Sequence, residues 1–500
     1  MSKFCILGYI FNDVTLKSAA TPVIKMRLGG IVHAARGMYA VGEEYSVAYF
    51  APSYLDSHIE HYLKEIGCTE VIKLGNVTNS PNTVLIHEVQ EVGDQGYNFL
   101  LNENLEVAYD DSQLAKLDKF DKILLFAGDF DMSKVMRHNT HAQYYLDVTN
   151  DVKRLADLGG VHFRTLFLST SSTLFKNDYS DIDSLVNDCQ NICEQFVLKE
   201  NRGGSRAYDY AVEKIVSTPS MTVPVVHSVG VGDVFDTIVA IYDQRSPFEH
   251  NLLNASYVAA EYAQTTFIDD FRTMAQYYLS LPIEDKQKHN GVLLPWDVRK
   301  GINIYIAAPD FDFVDTKPID FICQALEYHN FAPRRPIKEN GQMSKDAGKA
   351  ERQKLFQSDM ALINSCQMML AVLLYNDPGT LIEIGVAAER GMPVLVYDPR
   401  KHIQVMIQCQ INIRQRLRLD TLCCIYDQNC PITGSKTSGN LIVKIDMPWC
   451  IDQVKNIFFS IISLINDSYS LRLDRDTSLS LKFHIIQHLR LHLTFCQCTR

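Results

Sequence analysis

The chain has 500 residues, which is too long for one ordinary domain, so we expect two main domains. Hydrophobic residues make up 46% and charged residues 21% of the chain, a composition typical of a soluble globular protein. The net charge of -11 argues against a surface built to neutralise nucleic-acid phosphates, so we expect small-molecule partners and no nucleic-acid polymer.

The sequence gives no sign of a membrane segment or a zinc site. No apolar run reaches the roughly 18 to 20 residues that span a bilayer, and the first segment meets Asp13 too early for a secretory signal. We therefore expect a cytoplasmic protein without membrane contact. The 13 cysteines lack the paired spacing of zinc sites, so we expect buried, reduced thiols and assign no metal.

The first half of the chain alternates short apolar runs with helical patterns. Strands are predicted at Lys122–Phe126, Arg164–Leu168 and Val223–Val226. Strands that alternate with helices in this way are typical of an α/β domain. We assign residues 1–285 to this domain and place a polar linker at Leu281–Gly301.

Three glycine-containing segments follow one another in this first domain. A strand leads into Gly8-Tyr-Ile-Phe-Asn-Asp13, the pair Gly29-Gly30 comes next, and VPVVHSVGVGDVFD comes later. In this order the segments resemble the ribokinase-like (PfkB) sugar and nucleoside kinases. The third segment is similar to the D-T-x-G-A-G-D-x-F signature of that family.

The resemblance implies a ribokinase-like fold and a set of site residues. Asp13 and the Gly29-Gly30 turn would contact the sugar. The backbone N–H groups of Gly230 and Gly232 would form an anion hole for a phosphoryl group, and Asp233 would take the proton from the sugar hydroxyl. ATP and Mg²⁺ would be the cofactors of such a kinase.

The first domain also departs from that family. His227 stands where the signature begins with aspartate, His33 stands where asparagine is common, and Phe196–Gly204 replaces the usual nucleotide-binding turn. The N-x-x-E metal-organising motif has no counterpart around STSSTLF. Two hypotheses follow: an active kinase, or a pseudokinase that senses a sugar or nucleoside.

After the linker, a second run of alternating elements begins. The predicted elements are, in order, a strand at Ile302–Ala307, a helix at Pro318–Tyr328, a buried strand at Met368–Leu374, a helix at Gly379–Arg390 and a strand at Pro393–Tyr397. This order predicts a second α/β domain with a parallel sheet, which we assign to residues 300–435. Residues 436–500 are predicted to form a helix and hairpin tail that serves packing or oligomerisation.

The helix that starts at Asp377 carries the strongest candidate for chemistry. Asp377 is expected to cap the helix directly after an apolar strand, at the sheet edge where ligands bind in α/β proteins. Ile382, Ile384 and Val386 indicate that this helix face is buried. An unpaired carboxylate there is costly unless it has a function, so Glu383 is a candidate catalytic residue.

Three segments of the second domain resemble the nucleoside 2-deoxyribosyltransferases. DPGTLIEIGVAAERGMPVLV is similar to that family's D-x-G-[ST]-x-x-E-x-G-x-A helix and the strand after it. IYIAAPDF resembles its first strand, and SDMALINSCQMMLAVLLY resembles a segment that begins with an aspartate. The resemblance implies a flavodoxin-like or Rossmann-like sheet and a homo-oligomer. We also expect Gly385 and Ala387 to let the helix pack closely on the sheet.

The resemblance further implies a double displacement at the sugar. Glu383 would be the nucleophile, Tyr305 would orient it through a hydrogen bond, and Asp359 would protonate the leaving base. Asp377 would help hold the base or the sugar, and no cofactor is implied. Two further residues at the helix start are expected to bind substrate, Gly379 and Thr380.

Without this resemblance, local sequence favours simpler roles for the same residues. Tyr305 would be a core aromatic, Asp359 a surface charge and Asp377 only a helix cap. Three functions are therefore possible. The first is a deoxyribosyltransferase for a nucleoside or nucleotide, fused to a kinase-like domain that phosphorylates or senses a related molecule. The second is an N-glycoside hydrolase that depletes nucleotides, and the third is a ligand-sensing binding protein gated by a pseudokinase.

Overall fold

The structure is a computed structural model. It describes residues 3–397 apart from short segments, namely 18–22, 150–151, 159, 180, 289–290, 345 and 376. The predicted tail at 436–500 lies outside the described residues. The chain divides into two compact units. Among the described residues, unit 1 runs to Gly301 and includes Gln324–Phe331, whereas unit 2 contains Ile302–Cys323 and the residues from Ala332 onward.

Strands and helices alternate along the described chain. The strands are β1 (Phe4–Tyr9), β2 (Asn12–Thr15), β3 (Lys25–Leu28), β4 (Ser46–Ala51), β5 (Glu70–Thr78), β6 (Thr83–Ile86), β7 (Asn98–Phe99), β8 (Glu106–Tyr109), β9 (Lys122–Phe126), β10 (Gln143–Asp147), β11 (Phe163–Ser169), β12 (Cys193–Lys199), β13 (Ser205–Asp209), β14 (Lys214–Thr218), β15 (Ser220–Met221), β16 (Gly291–Val292), β17 (Asn303–Ala307), β18 (Ala332–Arg334), β19 (Met368–Val372) and β20 (Val394–Tyr397).

The α-helices are α1 (Val32–Val41), α2 (Asp56–Glu65), α3 (Asp111–Leu114), α4 (Met132–Met136), α5 (Thr173–Asp178), α6 (Ile182–Cys189), α7 (Val231–Tyr242), α8 (Phe248–Gln264), α9 (Ile268–Ser280), α10 (Ile283–Gln287), α11 (Trp296–Arg299), α12 (Lys317–Tyr328), α13 (Pro336–Asn340), α14 (Lys349–Ser365) and α15 (Pro378–Glu389). Among the described residues, none of these helices is long and apolar enough to cross a bilayer.

Unit 1 is built on a large sheet with the strand order β14-β13-β12-β11-β10-β9-β1-β4-β5-β8. The strands from β12 to β5 in this order are parallel, and the outer strands are antiparallel. β1 is buried along its whole length, and Ile6 and Leu7 belong to different core clusters. Both faces of the central strands are therefore covered, which explains their continuous apolar sequence.

A smaller sheet in unit 1 has the order β3-β2-β6-β7. β2 and β3 are antiparallel, and Asp13 lies directly opposite Arg27 in their register. Gly29 and Gly30 follow β3 and lead into α1, and Gly30 has a φ of 61°. A positive φ of this kind favours glycine, so the turn fixes the exit from the smaller sheet.

Most elements predicted for unit 1 are present. Strands occur at the predicted Lys122–Phe126 and Arg164–Leu168, but the predicted strand Val223–Val226 is wrong. Pro224 has no N–H for a strand ladder, and the N–H of Val226 donates instead to the carbonyl of Ala263. The described cysteines are free and buried, as expected: Cys5, Cys68, Cys189, Cys193, Cys323 and Cys366.

The segment Leu281–Gly301, predicted as a polar linker, has regular structure of its own. It contains α10, α11 and β16, and β16 pairs with β15. Arg299 is fully buried and donates to the carbonyl oxygens of Leu294 and Glu200. These buried hydrogen bonds fix a segment whose polar sequence resembles a loop.

The described residues of unit 2 contain a parallel sheet of four strands with the order β18-β17-β19-β20. Its elements confirm the predicted strand–helix alternation, including the helix that begins after Asp377. The core contains Tyr305 and Ala307 of β17, Met369 of β19, and Ile384 of α15. Both units are therefore of the α/β class, and unit 2 has the parallel sheet expected for it.

Candidate functional site

In unit 2 the carboxylate of Glu383 forms a hydrogen bond with the phenol of Tyr305. The phenolic Oη of Tyr305, on the interior strand β17, donates a 2.7 Å hydrogen bond to Oε1 of Glu383 on α15. Tyr305 is fully buried and Glu383 is partly buried. The phenol therefore holds the carboxylate in one orientation, while part of Glu383 stays accessible.

The surroundings of Glu383 change its protonation. Burial raises the pKa of Glu383 to about 7, the hydrogen bond from Tyr305 opposes this rise, and the charges of Asp359 and Asp377 add to it. Burial and the Glu383 carboxylate both raise the pKa of Tyr305, so the phenol keeps its proton. Both protonation states of Glu383 are accordingly populated near neutral pH, as is common for reactive carboxylates.

Asp377 caps the amino end of α15, as its sequence predicts. One carboxylate oxygen, Oδ2, accepts hydrogen bonds from the backbone N–H of Thr380 at 2.7 Å and from its hydroxyl at 2.8 Å. Asp377 is buried, and a side chain at Gly379 would lie 3.1 Å from the same oxygen. Capping uses only one of the two oxygens, so it leaves Oδ1 for another partner.

Asp359 lies on α14 and is held by a residue that sequence reasoning did not find. The amide Nδ2 of Asn340 donates a 2.8 Å hydrogen bond to Oδ1 of Asp359. Burial raises the pKa of Asp359, and the hydrogen bond from Asn340 opposes this rise. Asn340 lies outside the recognised motif segments, so no pattern in the sequence pointed to it.

Two expectations about α15 are wrong. Ile382 was expected to be buried but is 62% exposed, while Ile384 is 7% exposed. A side chain at Gly385 would meet no atom of the described residues within 4 Å, so close packing there does not require glycine. Ala387 is fully buried and does pack on the sheet. One face of α15 thus opens beside Glu383 instead of facing the core.

Aromatic side chains follow β17 at the same end of the sheet. The rings of Phe311 and Phe313 stack at 5.3 Å with an interplanar angle of 4°. Arg335 binds both carboxylate oxygens of Asp310, at 2.8 Å and 2.6 Å, and so fixes the start of this loop. A depression of about 330 Å³ beside it is lined by Phe313, Val314, Asp315, Leu374 and Tyr375. Glu383 does not line this depression itself.

Unit 1 brings its predicted sugar-binding residues together in a second cluster. Oδ2 of the buried Asp13 lies 3.0 Å from Nε2 of His33, whose Nδ1 lies 2.6 Å from the hydroxyl of Tyr262. A side chain at Gly29 would lie 2.0 Å from both oxygens of Asp13, so only glycine leaves room for the Asp13 carboxylate. His33 thus occupies one oxygen of the aspartate that was expected to bind sugar.

The protonation of this cluster is shifted by burial. Burial raises the pKa of Asp13 to about 6, although Arg27 and Arg36 oppose the rise. Burial and the same two arginines hold the pKa of His33 well below its ordinary value. His33 is therefore a neutral imidazole that bridges Asp13 and Tyr262.

The predicted anion hole lies at the amino end of α7. Gly230 caps this helix with a φ of 84°, and a side chain there would lie 2.1 Å from the ring of His33. Asp233 lies in the first turn. Burial and Asp147 raise the pKa of Asp233 to about 7, Lys199 opposes the rise, and Asp13 adds to it. The structure thus brings the predicted sugar and phosphoryl residues of unit 1 to one place.

A buried ion cluster beside Asp233 was not predicted. Nζ of Lys199 lies 2.6 Å from Oδ2 of Asp236 and 3.5 Å from Oδ1 of Asp147. Burial disfavours the ammonium, but the two aspartates outweigh burial and raise the pKa of Lys199. Lys199 directly follows the apolar run FVL at the end of β12, and a charged residue at the end of a buried strand is the signal that could have found it.

The position of Lys199 bears on the Mg²⁺ that an active kinase would need. Its ammonium lies between the carboxylates of Asp147 and Asp236. In the described part of the chain, no group of three or more His, Cys, Asp or Glu residues is placed to hold a metal ion. Asp147 and Asp236 are therefore already paired with an ammonium in this structure.

The segment between β6 and β7 lies against the loop that enters α7. The N–H of Ser228 donates to the carbonyl of Val89 at 2.6 Å, and Nε2 of Gln95 donates to the Ser228 hydroxyl at 2.9 Å. Arg202, in the loop after β12, donates to the carbonyl of Gln90 at 2.6 Å. The segment thus joins the two loops beside the amino end of α7.

Comparisons with solved structures concern the larger part of the chain. A phosphofructokinase-2 variant from Escherichia coli is 13% identical, and the match covers 56% of this chain and 100% of that one with a TM-score of 0.43. Ribokinase from Arabidopsis thaliana, solved with ribose and ATP, is 15% identical, with 56% and 99% covered and a TM-score of 0.43. Fructokinase from Xylella fastidiosa, solved with ATP, is 12% identical, with 56% and 100% covered and a TM-score of 0.43.

Comparison at the level of sequence families concerns the C-terminal part. A search of curated proteins gives no significant match. Residues 304–434 match the family model described as nucleoside 2-deoxyribosyltransferase. This matched range contains the Tyr305–Glu383 hydrogen bond and both nearby aspartates. Residues 304–434 are therefore similar to the nucleoside 2-deoxyribosyltransferases.

Proposed function

We propose that unit 2 breaks the N-glycosidic bond of a nucleoside or nucleotide and transfers the sugar through a covalent ester on Glu383. Unit 1 then serves as a sensor for a related sugar or nucleoside. One observation carries the proposal for unit 2: Tyr305 donates a 2.7 Å hydrogen bond to Glu383, and Asp359 and Asp377 both lie close enough to raise the pKa of that carboxyl.

In the first step the ionised Glu383 attacks C1′ of the sugar. A carboxylate oxygen bonds to C1′ as the C1′–N bond breaks, and the electron pair of that bond leaves with the base. The leaving nitrogen accepts a proton from the acid form of Asp359, whose pKa is raised by burial. The products of this step are a glycosyl ester on Glu383 and a neutral free base.

In the second step an acceptor base attacks C1′ from the face that the first base left. Its ring nitrogen bonds to C1′, the ester bond breaks, and its electron pair returns to Glu383 as a carboxylate. The proton of the acceptor nitrogen passes to Asp359, which restores the starting state. Two inversions at C1′ give retention of configuration. Water as the acceptor gives the free sugar instead.

The neighbours of Glu383 support this chemistry. The hydrogen bond from Tyr305 stabilises the ionised nucleophile and fixes its direction, and a misplacement of about 1 Å can cost about a hundredfold in rate. The free oxygen of Asp377 can accept a hydrogen bond from a sugar hydroxyl or a base N–H. The stacked rings of Phe311 and Phe313 offer a flat apolar surface of the kind that nucleobases bind.

The ion cluster of unit 1 favours sensing over phosphoryl transfer. Phosphoryl transfer needs a metal ion to neutralise the phosphate charges. Lys199 already occupies the space between two carboxylates. We therefore expect the full chain to consume no ATP when it is supplied with a sugar or a nucleoside, and Asp233→Asn to bind ligand as the parent protein does.

A base-exchange assay tests the proposal for unit 2. The full chain is incubated with a deoxynucleoside and a different free base, and the products are followed by mass. A new nucleoside supports transfer, whereas release of free sugar at the same rate with and without the second base supports hydrolysis. Glu383→Gln should abolish both products, while Glu389→Gln on the exposed face of α15 should leave them unchanged. Full activity of Glu383→Gln would contradict the mechanism.

A further inference from the structure

Asp359, the proposed acid of unit 2, receives a hydrogen bond from a neighbouring amide. Nδ2 of Asn340 donates to Oδ1 of Asp359 at 2.8 Å. Both side chains are partly exposed, so the carboxyl group can be reached from outside the core. The charge of Asp359 contributes to the raised pKa values of Glu383 and Tyr305, so the carboxyl group lies near both. The amide therefore bonds to a carboxyl group beside the proposed nucleophile.

The helix that carries Asn340 is held in place by contacts other than this hydrogen bond. Helix α13 begins at the buried Pro336. Arg335, directly before the helix, binds both carboxylate oxygens of Asp310 and one oxygen of Asp320, the latter at 2.6 Å. These contacts tie α13 to the loop after β17 and to the first turn of α12. The fold thus places the amide independently of its bond to the carboxyl group.

The amide makes the two oxygens of Asp359 unequal. In a protonated carboxyl group one oxygen carries the hydrogen, and the other is a carbonyl oxygen that accepts hydrogen bonds more readily. A hydrogen bond to Oδ1 therefore favours the form in which Oδ2 carries the proton. The same hydrogen bond stabilises the carboxylate that remains when the proton has left. An amide at this position can thus act on the acid before and after proton transfer.

We infer that Asn340 is a positioning residue for the acid of unit 2, because its amide keeps the proton of Asp359 on Oδ2 and stabilises the carboxylate left behind. This inference rests on the proposed N-glycosidic cleavage and names the residue that controls its acid. As the base leaves, the electron pair of the C1′–N bond passes to the leaving nitrogen, which bonds to the proton. The Oδ2–H bond breaks, and its electron pair stays on Asp359. Asn340 neither gains nor loses a proton.

Two variants of Asn340 should change the pH dependence in graded steps. Asn340→Leu removes the donor, and Asn340→Asp replaces it with a second carboxyl group. Burial raises the pKa of Asp359, and the hydrogen bond from Asn340 opposes that rise. Loss of the bond should therefore raise the pKa further, and a like charge should raise it more still. The other titratable groups near Asp359, Glu383 and Tyr305, are unchanged in both variants. The pH at which activity falls should move up in Asn340→Leu and further up in Asn340→Asp.

Substrates that need less help from an acid distinguish positioning from a purely structural role. One pair is 2′-deoxyuridine and 5-fluoro-2′-deoxyuridine, and the other is 2′-deoxyguanosine and 7-methyl-2′-deoxyguanosine. The second base of each pair leaves more easily without a proton, because fluorine stabilises the leaving anion and the methyl group already gives the base a positive charge. Asn340→Leu should slow cleavage of the first member by about tenfold to a hundredfold and of the second by less than about threefold. Asp359→Asn should show the same selectivity with a larger loss.

Asn364→Leu is the matched control. Asn364 lies on α14, as Asp359 does, and its exposed amide accepts a hydrogen bond from Arg390. This control should keep the parent rates on all four deoxynucleosides and the parent pH profile. Urea unfolding of the full chain checks that both Asn340 variants are folded, and each should unfold at the same urea concentration as the parent protein.

The outcomes separate this inference from the cleavage on which it rests. An equal loss on both members of each pair overturns the inference and leaves the cleavage intact. The same holds if Asn340→Leu keeps the parent rates, or if the falling limb stays at the parent pH in both Asn340 variants. If Asp359→Asn cleaves 2′-deoxyuridine and 2′-deoxyguanosine as the parent does, the acid is wrongly assigned and the inference is overturned with it. If the parent protein cleaves none of the four deoxynucleosides, both proposals fail.

Discussion

Glu383 in unit 2 and Asp233 in unit 1 are carboxyl groups with similar pKa values and different surroundings. Burial is the main cause that raises each pKa to about 7. Glu383 has a neutral phenol as its hydrogen-bond partner, whereas Asp233 lies near the ammonium of Lys199, which already pairs with two other carboxylates. Burial sets the proton affinity in both places, but the neighbours decide whether the carboxylate is free to react.

The largest effect is expected from removing the two carboxylates in turn. Glu383→Gln should lower the rate of N-glycosidic cleavage by at least about a thousandfold, because an amide cannot form the ester. Asp233→Asn should leave that rate within about twofold, since its surroundings in unit 1 do not support a nucleophile. The rates are measured with a deoxynucleoside and a free base. A similar loss in both variants would contradict the contrast between the two sites.

The second largest effect is expected on the free energy of unfolding when the ammonium of Lys199 is removed. Lys199→Met should lower the free energy of unfolding by about 3 kcal/mol, because it leaves the fully buried Asp236 without its cation. Urea denaturation of the full chain, followed on the transition of unit 1, measures the change. Lys214→Met removes an exposed pair with Glu249 and should cost less than about 1 kcal/mol.

A double variant shows whether the loss comes from the unpaired charge. Adding Asp236→Asn to Lys199→Met should recover part of the lost stability, because the amide carries no charge to leave unpaired. If Lys199→Met costs no more than Lys214→Met, the lysine does not act as the internal cation of unit 1.

A smaller effect is expected on the pH dependence of unit 2. In the proposed mechanism Glu383 must be ionised and Asp359 protonated, so activity should rise with pH through a pKa of about 7 and fall at the pH where Asp359 ionises. The hydrogen bond from Tyr305 lowers that pKa, so Tyr305→Phe should move the rise to higher pH and reduce the maximal rate by about tenfold. Rate–pH profiles of the two proteins test this. Tyr277→Phe, an exposed tyrosine in unit 1, is the control, and a shift to lower pH in Tyr305→Phe would contradict the assigned role.

The smallest effect is expected at Gly385 of α15. A methyl group there meets no atom within 4 Å in the described part of the chain, so Gly385→Ala should raise the stability of unit 2 by about 0.5 to 1 kcal/mol through the helix preference of alanine. Thermal or urea unfolding measures the change. A loss of more than about 1 kcal/mol would mean that the open face of α15 is covered in solution.

The sequence predicts the local features of unit 2 well. The apolar runs of β17, β19 and β20 mark buried parallel strands, and the Asp-Pro-Gly-Thr start of α15 predicts its cap because capping involves residues only three apart. The exposure of Ile382 could not be predicted in the same way. Its apolar side chain suggests burial, but the face of a helix that lacks a neighbour is decided by the fold.

Contacts between distant residues were found only where a family resemblance supplied them. The Tyr305–Glu383 pair joins residues 78 apart and was implied by the resemblance. The contacts of Arg27 with His227 span 200 residues, and those of Lys199 span 37 and 52. No local pattern carries such information, because strand order and crossover helices bring these side chains together.

The position of β17 between two other strands of its sheet determines when the Tyr305–Glu383 pair can form. β17 pairs with β18 on one side and with β19 on the other, and β19 is more than 60 residues further along the chain. A growing polypeptide therefore holds the phenol long before the carboxylate exists. The Tyr305–Glu383 pair can form only after α15 has been synthesised and has docked, so the proposed activity of unit 2 should appear late in synthesis.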